Sequence, residues 1–178
     1  MLMCGIYGCI GKSDIEVTRE CISRIKHRGP DAMGIKVYDD VYLAHARLSI
    51  IDISDNSDQP MVDNDGRYTT VYNGEVYNYL EIKKELKSKG YVFKTNSDTE
   101  VVLNAYIEWG EAFQDKCNGM WALAIWDNRE RKLFLSRDRF GIKPLYYCQV
   151  ENNLYFASEM KALLPVLGKA KINYSIFD

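Results

Sequence analysis

The sequence predicts an α+β chain built on antiparallel sheets. Three observations carry this expectation. Helical apolar patterns fall in the first part of the chain. Four strand-like runs, 120–126, 132–136, 145–150 and 154–157, then follow one another at hairpin spacing. The strands run in sequence rather than alternating with helices as βαβ units of a parallel sheet would, and the absence of GxGxxG and GxxxxGK[ST] separately shows no nucleotide site.

The elements follow in order. Residues 5–10 are short, apolar and glycine-punctuated, which predicts a buried strand. Ser13 and Glu16 form a capping box opening a helix with Val17, Cys21, Ile22 and Ile25 on one face. Gly29 and Pro30 stop it. Residues 34–38 and 41–48 read as a hairpin across Asp39-Asp40, and 54–66 as a loop rich in Asp, Asn and Ser. Residues 68–72 read as a strand and 73–78 as a turn-like link. A helix with Leu80, Ile82 and Leu86 inward follows and ends at Gly90. A short strand is expected at 91–94. Asp98 then caps a helix whose inner stripe is Val101, Val102, Ala105 and Tyr106. After the four strands, a short helix is expected at 158–164.

Composition narrows the function. The chain has 178 residues, 47% apolar and 27% charged, with net charge -2. That is an ordinary globular balance, and nothing in it is basic enough for a nucleic-acid partner. No apolar run reaches the ~20 residues of a membrane helix. The five cysteines are irregularly spaced and form no CxxC. They predict a reducing, cytoplasmic setting rather than a disulfide framework. With only two histidines, a zinc site is not expected.

Cys4 precedes Gly5 and a buried strand near the start of the chain. A thiol is a strong nucleophile that needs a base, and an N-terminal cysteine carries one in its α-amine, with a pKa of about 8. On position alone, a small buried hydrophobe is the commoner reading. Cys9 has the wrong spacing for a nucleophile elbow. His27 and His45 read as structural histidines. Arg47 lies among apolar neighbours, so it is either paired or reaches solvent, and it can hold a carboxylate in a fork. Asn73 and Gly74 can donate two hydrogen bonds to an oxyanion, or form an Asn-Gly turn. Asp98 reads locally as a helix cap that can also accept from an ammonium.

Taken together, these stretches resemble the class II, N-terminal-nucleophile glutamine amidotransferases. The resemblance runs through seven segments in order, from Cys4 to about Leu164. They are Cys-Gly-Ile at 4–6, His-Arg-Gly-Pro-Asp at 27–31, Arg-Leu-Ser-Ile-Ile-Asp at 47–52 and Asn-Gly-Glu-Val-Tyr-Asn at 73–78. The rest are Ser-Asp-Thr-Glu at 97–100, Arg-Asp-Arg-Phe-Gly-Ile-Lys-Pro-Leu-Tyr-Tyr at 137–147 and Phe-Ala-Ser-Glu-Met-Lys-Ala-Leu at 156–163. Tyr72 before Asn73, where related branches carry histidine, makes the asparagine-synthetase branch the closest likeness.

The resemblance implies one glutaminase domain over 1–178, folded as a four-layer αββα sandwich of the Ntn-hydrolase type. It implies that Cys4 attacks the glutamine side-chain amide with its α-amine as base. Asn73 and the Gly74 N–H would form the oxyanion hole. Arg47 would bind the substrate α-carboxylate, and Glu75 and Asp98 the α-ammonium. Ammonia would pass to a synthetase domain that adenylates aspartate. That domain's Ser-Gly-Gly loop does not occur here, so ATP and magnesium are expected there and no cofactor in this chain. The family's glutaminase domain usually continues past Asp178. Met1-Leu2-Met3 precedes Cys4, whereas the mechanism needs a free Cys4 amine. The alternative function is therefore a non-catalytic glutamine-binding or regulatory module, and a third reading is a fragment that a partner chain completes.

Overall fold

The computed structural model describes residues 3–48 and 58–168. Nine strands form two antiparallel sheets among these residues. The first sheet has the order β2-β3-β1-β9-β8, from Ala32–Tyr38, Val41–Arg47, Gly5–Ile10, Asn153–Ala157 and Tyr146–Val150. The second has the order β4-β5-β6-β7, from Met61–Val62, Tyr68–Val76, Gly119–Asp127 and Lys132–Arg137.

Strand alternation explains the layering. Side chains on a strand point to opposite faces in turn. In β1 and β3, Tyr7, Cys9, Tyr42, Ala44 and Ala46 face α1 (Ile15–Ser23), where they pack with Cys21, Ile22 and Ile25. Their neighbours Ile6, Val41 and Leu43 face the other way and meet Val71, Ala122, Ala124 and Trp126 of the second sheet. On that sheet's far side, Tyr72, Val76, Trp121, Leu123 and Ile125 pack under α2 (Tyr79–Ser88) and α3 (Asp98–Trp109). Three apolar seams between four layers give the expected αββα sandwich.

Several local expectations are corrected. The α1 cap is Asp14, whose carboxylate accepts from the Glu16 N–H, rather than Ser13. Likewise Ser97, not Asp98, caps α3. Residues 73–76 are not a turn, because β5 continues through them and pairs with β6 as far as Val76 opposite Gly119. Met61 and Val62 of the expected loop pair with Thr70 and Thr69, and residues 49–57 of that loop lie outside the described residues. No strand forms at 91–94, because the backbone N–H groups of Lys94 and Thr95 donate to the Glu100 carboxylate instead of a neighbouring strand. Leu80 is exposed rather than inward. The helix expected at 158–164 is a 3-10 turn at Met160–Ala162 followed by α4 (Leu164–Leu167). Among the described residues, no helix is long and apolar enough to cross a membrane.

An ion pair closes the end of the second sheet. Arg67, just before β5, forks onto Asp127 at the end of β6 with bonds of 2.6 to 3.1 Å. Asp127 also accepts from the N–H groups of Arg129 and Glu130 in the β6–β7 turn. Burial raises the Asp127 pKa, but Arg67 and the two N–H groups outweigh it and bring it to about 2. An acid with a depressed folded pKa stabilises the fold above its unfolded value, about 3.9, and loses that contribution as pH falls through the folded one. Asp127→Asn should therefore lower Tm at pH 7 by about 3–6 °C. It should also flatten the loss of stability between about pH 4 and pH 2. Thermal unfolding across that range checks this, and an unchanged acid slope would show that Asp127 does not carry it.

Candidate active site

The site lies where the apolar seam between the sheets ends. Tyr38 of β2 hydrogen-bonds Thr69 of β5 at 2.6 Å, and further along His45 lies against the Tyr72 backbone. Following both strands in the same direction brings Arg47 opposite the Asn73–Glu75 end of β5. The pairing of Gly5 with Ala46 places Cys4 beside Arg47. Cys4, Arg47 and Asn73 thus share one end of the space between the sheets.

Cys4 is held tightly. Its sulfur accepts from the Leu48 N–H at 3.3 Å and lies 3.5 Å from the Leu48 carbonyl. The Arg28 Nε donates to the Cys4 carbonyl at 2.9 Å, and Arg28 Nη1 to Glu159 at 3.0 Å. The Arg28 carbonyl accepts from the Met3 N–H at 3.0 Å. Burial pushes the Cys4 thiol above its ordinary pKa, while the Leu48 N–H and the charges of Arg47, Lys143 and Arg28 pull it down.

Arg47 is buried and pairs with Asp58. Asn73 is buried in β5, and its side-chain nitrogen finds no hydrogen-bond partner among the described residues. A buried donor without a partner costs about 1–3 kcal/mol. Gly74 admits no side chain, since a Cβ would lie 2.6 Å from the Met120 carbonyl and 2.7 Å from the Tyr72 ring. Glu75 is exposed at the strand end. Asp98 approaches from the helix side, where its carboxylate accepts from the Tyr72 hydroxyl at 2.8 Å and the Val76 N–H at 3.0 Å. Burial raises its pKa against those two bonds.

The histidines do not join this group. His27 is exposed and bonds Glu159 at 3.0 Å. His45 is buried between the sheets, and burial lowers its pKa to about 3. The Tyr72 backbone lies beside its ring and favours the charged form, although neither ring nitrogen meets full hydrogen-bond geometry among the described residues, and its role is structural as expected. Three residues at the site had no assigned role in the sequence reading: Arg28, Glu159 and Lys143. Each sits inside a segment of the resemblance, which was the available signal. Among the described residues, no group of three His, Cys, Asp or Glu could hold a metal ion.

Residues 3–177 match the model of the glutamine amidotransferase domain family. The chain is 42% identical over 178 residues to asparagine synthetase [glutamine-hydrolyzing] 1 of Bacillus subtilis, covering 96% of this chain. It is 42% identical over 167 residues to asparagine synthetase [glutamine-hydrolyzing] 2 of Oryza sativa, covering 90% of this chain. It spans only 28% of the length of either relative. Among solved structures, glutamine phosphoribosylpyrophosphate amidotransferase of B. subtilis superposes with a TM-score of 0.78 at 20% identity, covering 89% of this chain and 42% of that one. At that identity the likeness establishes the fold alone.

The approach of Gly29 to β3 generates a prediction. A Cβ at Gly29 would lie 2.2 Å from the Ala46 carbonyl oxygen and 2.5 Å from the Arg47 carbonyl carbon. Backbone cannot yield as a side-chain tip does, so Gly29→Ala should cost about 2–4 kcal/mol of stability. Denaturant unfolding measures this, and a change under about 0.5 kcal/mol would mean that the two segments separate freely.

Proposed function

The chain belongs to the glutamine amidotransferase domain family, and from that premise we propose that it hydrolyses glutamine to glutamate and ammonia through Cys4. The observation that carries this reading is the buried, unpartnered Asn73 amide at the same end of the inter-sheet space as Cys4. An oxyanion is the acceptor such a donor lacks.

The Cys4 α-amine, once free, takes the thiol proton. The sulfur attacks the side-chain amide carbon of glutamine. Charge develops on the amide oxygen, which accepts from Asn73 Nδ2 and the Gly74 N–H. The proton moves to the leaving nitrogen, ammonia departs, and a γ-glutamyl thioester remains. Water then adds to the thioester and releases glutamate with the thiol restored. Arg47 holds the α-carboxylate by exchanging Asp58 for substrate, and Asp98 and Glu75 hold the α-ammonium. No cofactor takes part in this chain.

The ammonia goes to a synthetase domain that uses ATP and magnesium to amidate aspartate. Support comes from the relatives' names and from the small share of their length that this chain spans. The non-catalytic glutamine-binding alternative is disfavoured, since those relatives are named as glutamine-hydrolysing enzymes. A reducing cytoplasm suits the reaction, because all five cysteines are free thiols.

Single substitutions separate the roles. Cys4→Ala should abolish glutamate release, while Cys9→Ala, Cys117→Ala and Cys148→Ala keep it. Arg47→Ala should mainly raise KM, since the α-carboxylate is bound in ground and transition states alike. Asn73→Ala should lower kcat by about 10²–10³. Steady-state kinetics decide, and an Asn73→Ala change confined to KM would sink the oxyanion role.

The amine can be tested directly. Protein whose first residue is Cys4 should hydrolyse glutamine, and protein with Met3 still joined to Cys4 should not, because an amide nitrogen has no usable basicity. Mass spectrometry identifies each species before assay. Equal turnover would place the base elsewhere.

A further inference from the structure

The segment Arg137 to Tyr147 belongs to the resemblance, yet the reaction above uses none of it. Its geometry is unusually fixed. One Asp138 oxygen accepts the N–H groups of Phe140 and Ile142 at 3.1 and 2.9 Å. The other accepts those of Lys143 and Trp121 at 2.9 and 3.2 Å. Arg137 clamps the same loop from outside, donating to the Lys143 carbonyl at 2.8 Å and the Gly141 carbonyl at 2.6 Å. Gly141 takes φ 63°, the left-handed turn that lets the loop close. Two side chains thus hold the Lys143 backbone from both sides.

The Lys143 side chain turns inward. It is only 5% exposed, and its ammonium lies 2.9 Å from the Met3 sulfur, a weak acceptor. Among the described residues it makes no salt bridge, in contrast to Arg28 beside it, which has Glu159. A buried ammonium without a carboxylate partner is costly and is retained where its charge is used. Met3 is the residue joined to the Cys4 nitrogen, and Lys143 is one of the charges that act on the Cys4 thiol.

We propose that Lys143 is a positioning residue for the nucleophile: its ammonium, fixed by the Asp138 loop beside residue 3, favours the Cys4 thiolate and the neutral Cys4 α-amine. This rests on the reading of Cys4 as nucleophile. The charged groups around Cys4 are Arg47 from β3, Arg28 from the short 3-10 turn Lys26–Arg28 and Lys143 from its loop. Those around Lys143 are Arg28, Glu75 of β5 and Asp138. Burial and Arg28 disfavour the ammonium, and Glu75, Cys4 and Asp138 favour it. Cys4 thus has cations on several sides, and among the described residues only Lys143 of these is not joined to a carboxylate by a salt bridge. A cation near a thiol favours the thiolate, and near an amine it favours the unprotonated base. Both effects extend reactivity to lower pH.

The test uses protein beginning at Cys4, compared with Lys143→Met and Lys143→Arg. Alkylation of Cys4 by iodoacetamide is followed against pH by mass spectrometry of the Cys4 peptide. The kcat/KM for glutamine is followed over the same range. Lys143→Met should move the rising limb of both profiles up by about one pH unit, and Lys143→Arg should return it toward wild type. Lys143→Gln takes the place of Lys143→Met if the latter loses cooperative unfolding. An alkylation midpoint that does not move in a folded uncharged variant overturns the proposal. If Cys4→Ala abolishes turnover while that midpoint stays fixed, only the Lys143 inference fails. If the midpoint shifts but Cys4→Ala still releases glutamate, the nucleophile reading fails and the charge effect stands.

Discussion

Everything at the site depends on two antiparallel sheets meeting face to face. That contact obliges β1, β3, β5 and β6 to give one face to the opposite sheet and the other to helices. The alternation does not stop where the apolar residues stop. It carries on into Cys4, Arg47 and Asn73, which inherit inward-facing positions from Ile6, Leu43 and Val71. A short seam of aliphatic and aromatic side chains thereby fixes the facing of polar groups that no local preference would have buried. Their desolvation raises the Cys4 pKa, and the Asn73 amide nitrogen is left without a partner among the described residues. The tension belongs to the architecture, and a bound substrate is its natural relief.

How much of this the sequence disclosed varies with the kind of signal. Strands β1, β2, β3 and β6 to β9 were legible because period-two patterns and hairpin spacing are local. The nature of 73–76 was not. Asn-Gly is a strong turn signal in isolation, but here nine successive pairings with β6 override it. Residues 91–94 failed in the opposite way: a strand-like composition met no neighbouring strand, the Tyr91 N–H went to the Leu86 carbonyl and the Lys94 N–H to the Glu100 side chain. The cap of α3 slipped by one residue because Ser97 and Asp98 are both good caps, and Asp98 is drawn instead to Tyr72 and Val76. The candidate residues themselves were found through the resemblance. Periodicity had offered each an ordinary structural role. Lys143 was missed because nothing near it in sequence shows that its neighbour in space is Met3, 140 positions away.

Charge around Cys4 is arranged unevenly, and the unevenness is informative. Arg28 is spent on two structural bonds, the Cys4 carbonyl and Glu159, and so acts mainly as a bracket. Arg47 rests against Asp58, a carboxylate whose side chain is 48% exposed and therefore cheap to displace into water. Lys143 alone faces a neutral sulfur. One group of like-charged side chains thus divides its labour by the partner each has. The fixed bracket keeps the strand end in register, and the exchangeable pair suits an incoming carboxylate.

The position of β1 also bears on how the chain acquires this site in time. β1 precedes the other described strands in sequence, but it is central, with β3 on one side and β9 on the other. Its second edge is closed by residues 154–157, and Ile6 exchanges bonds of 2.9 Å with the Ser158 hydroxyl and N–H. Pairing across about 150 residues carries a large loop-closure cost and makes for high contact order. Until residues 154–157 are available, that edge of β1 stays open. Cys4, one residue before β1, therefore meets its full surroundings only when this distant pairing has formed.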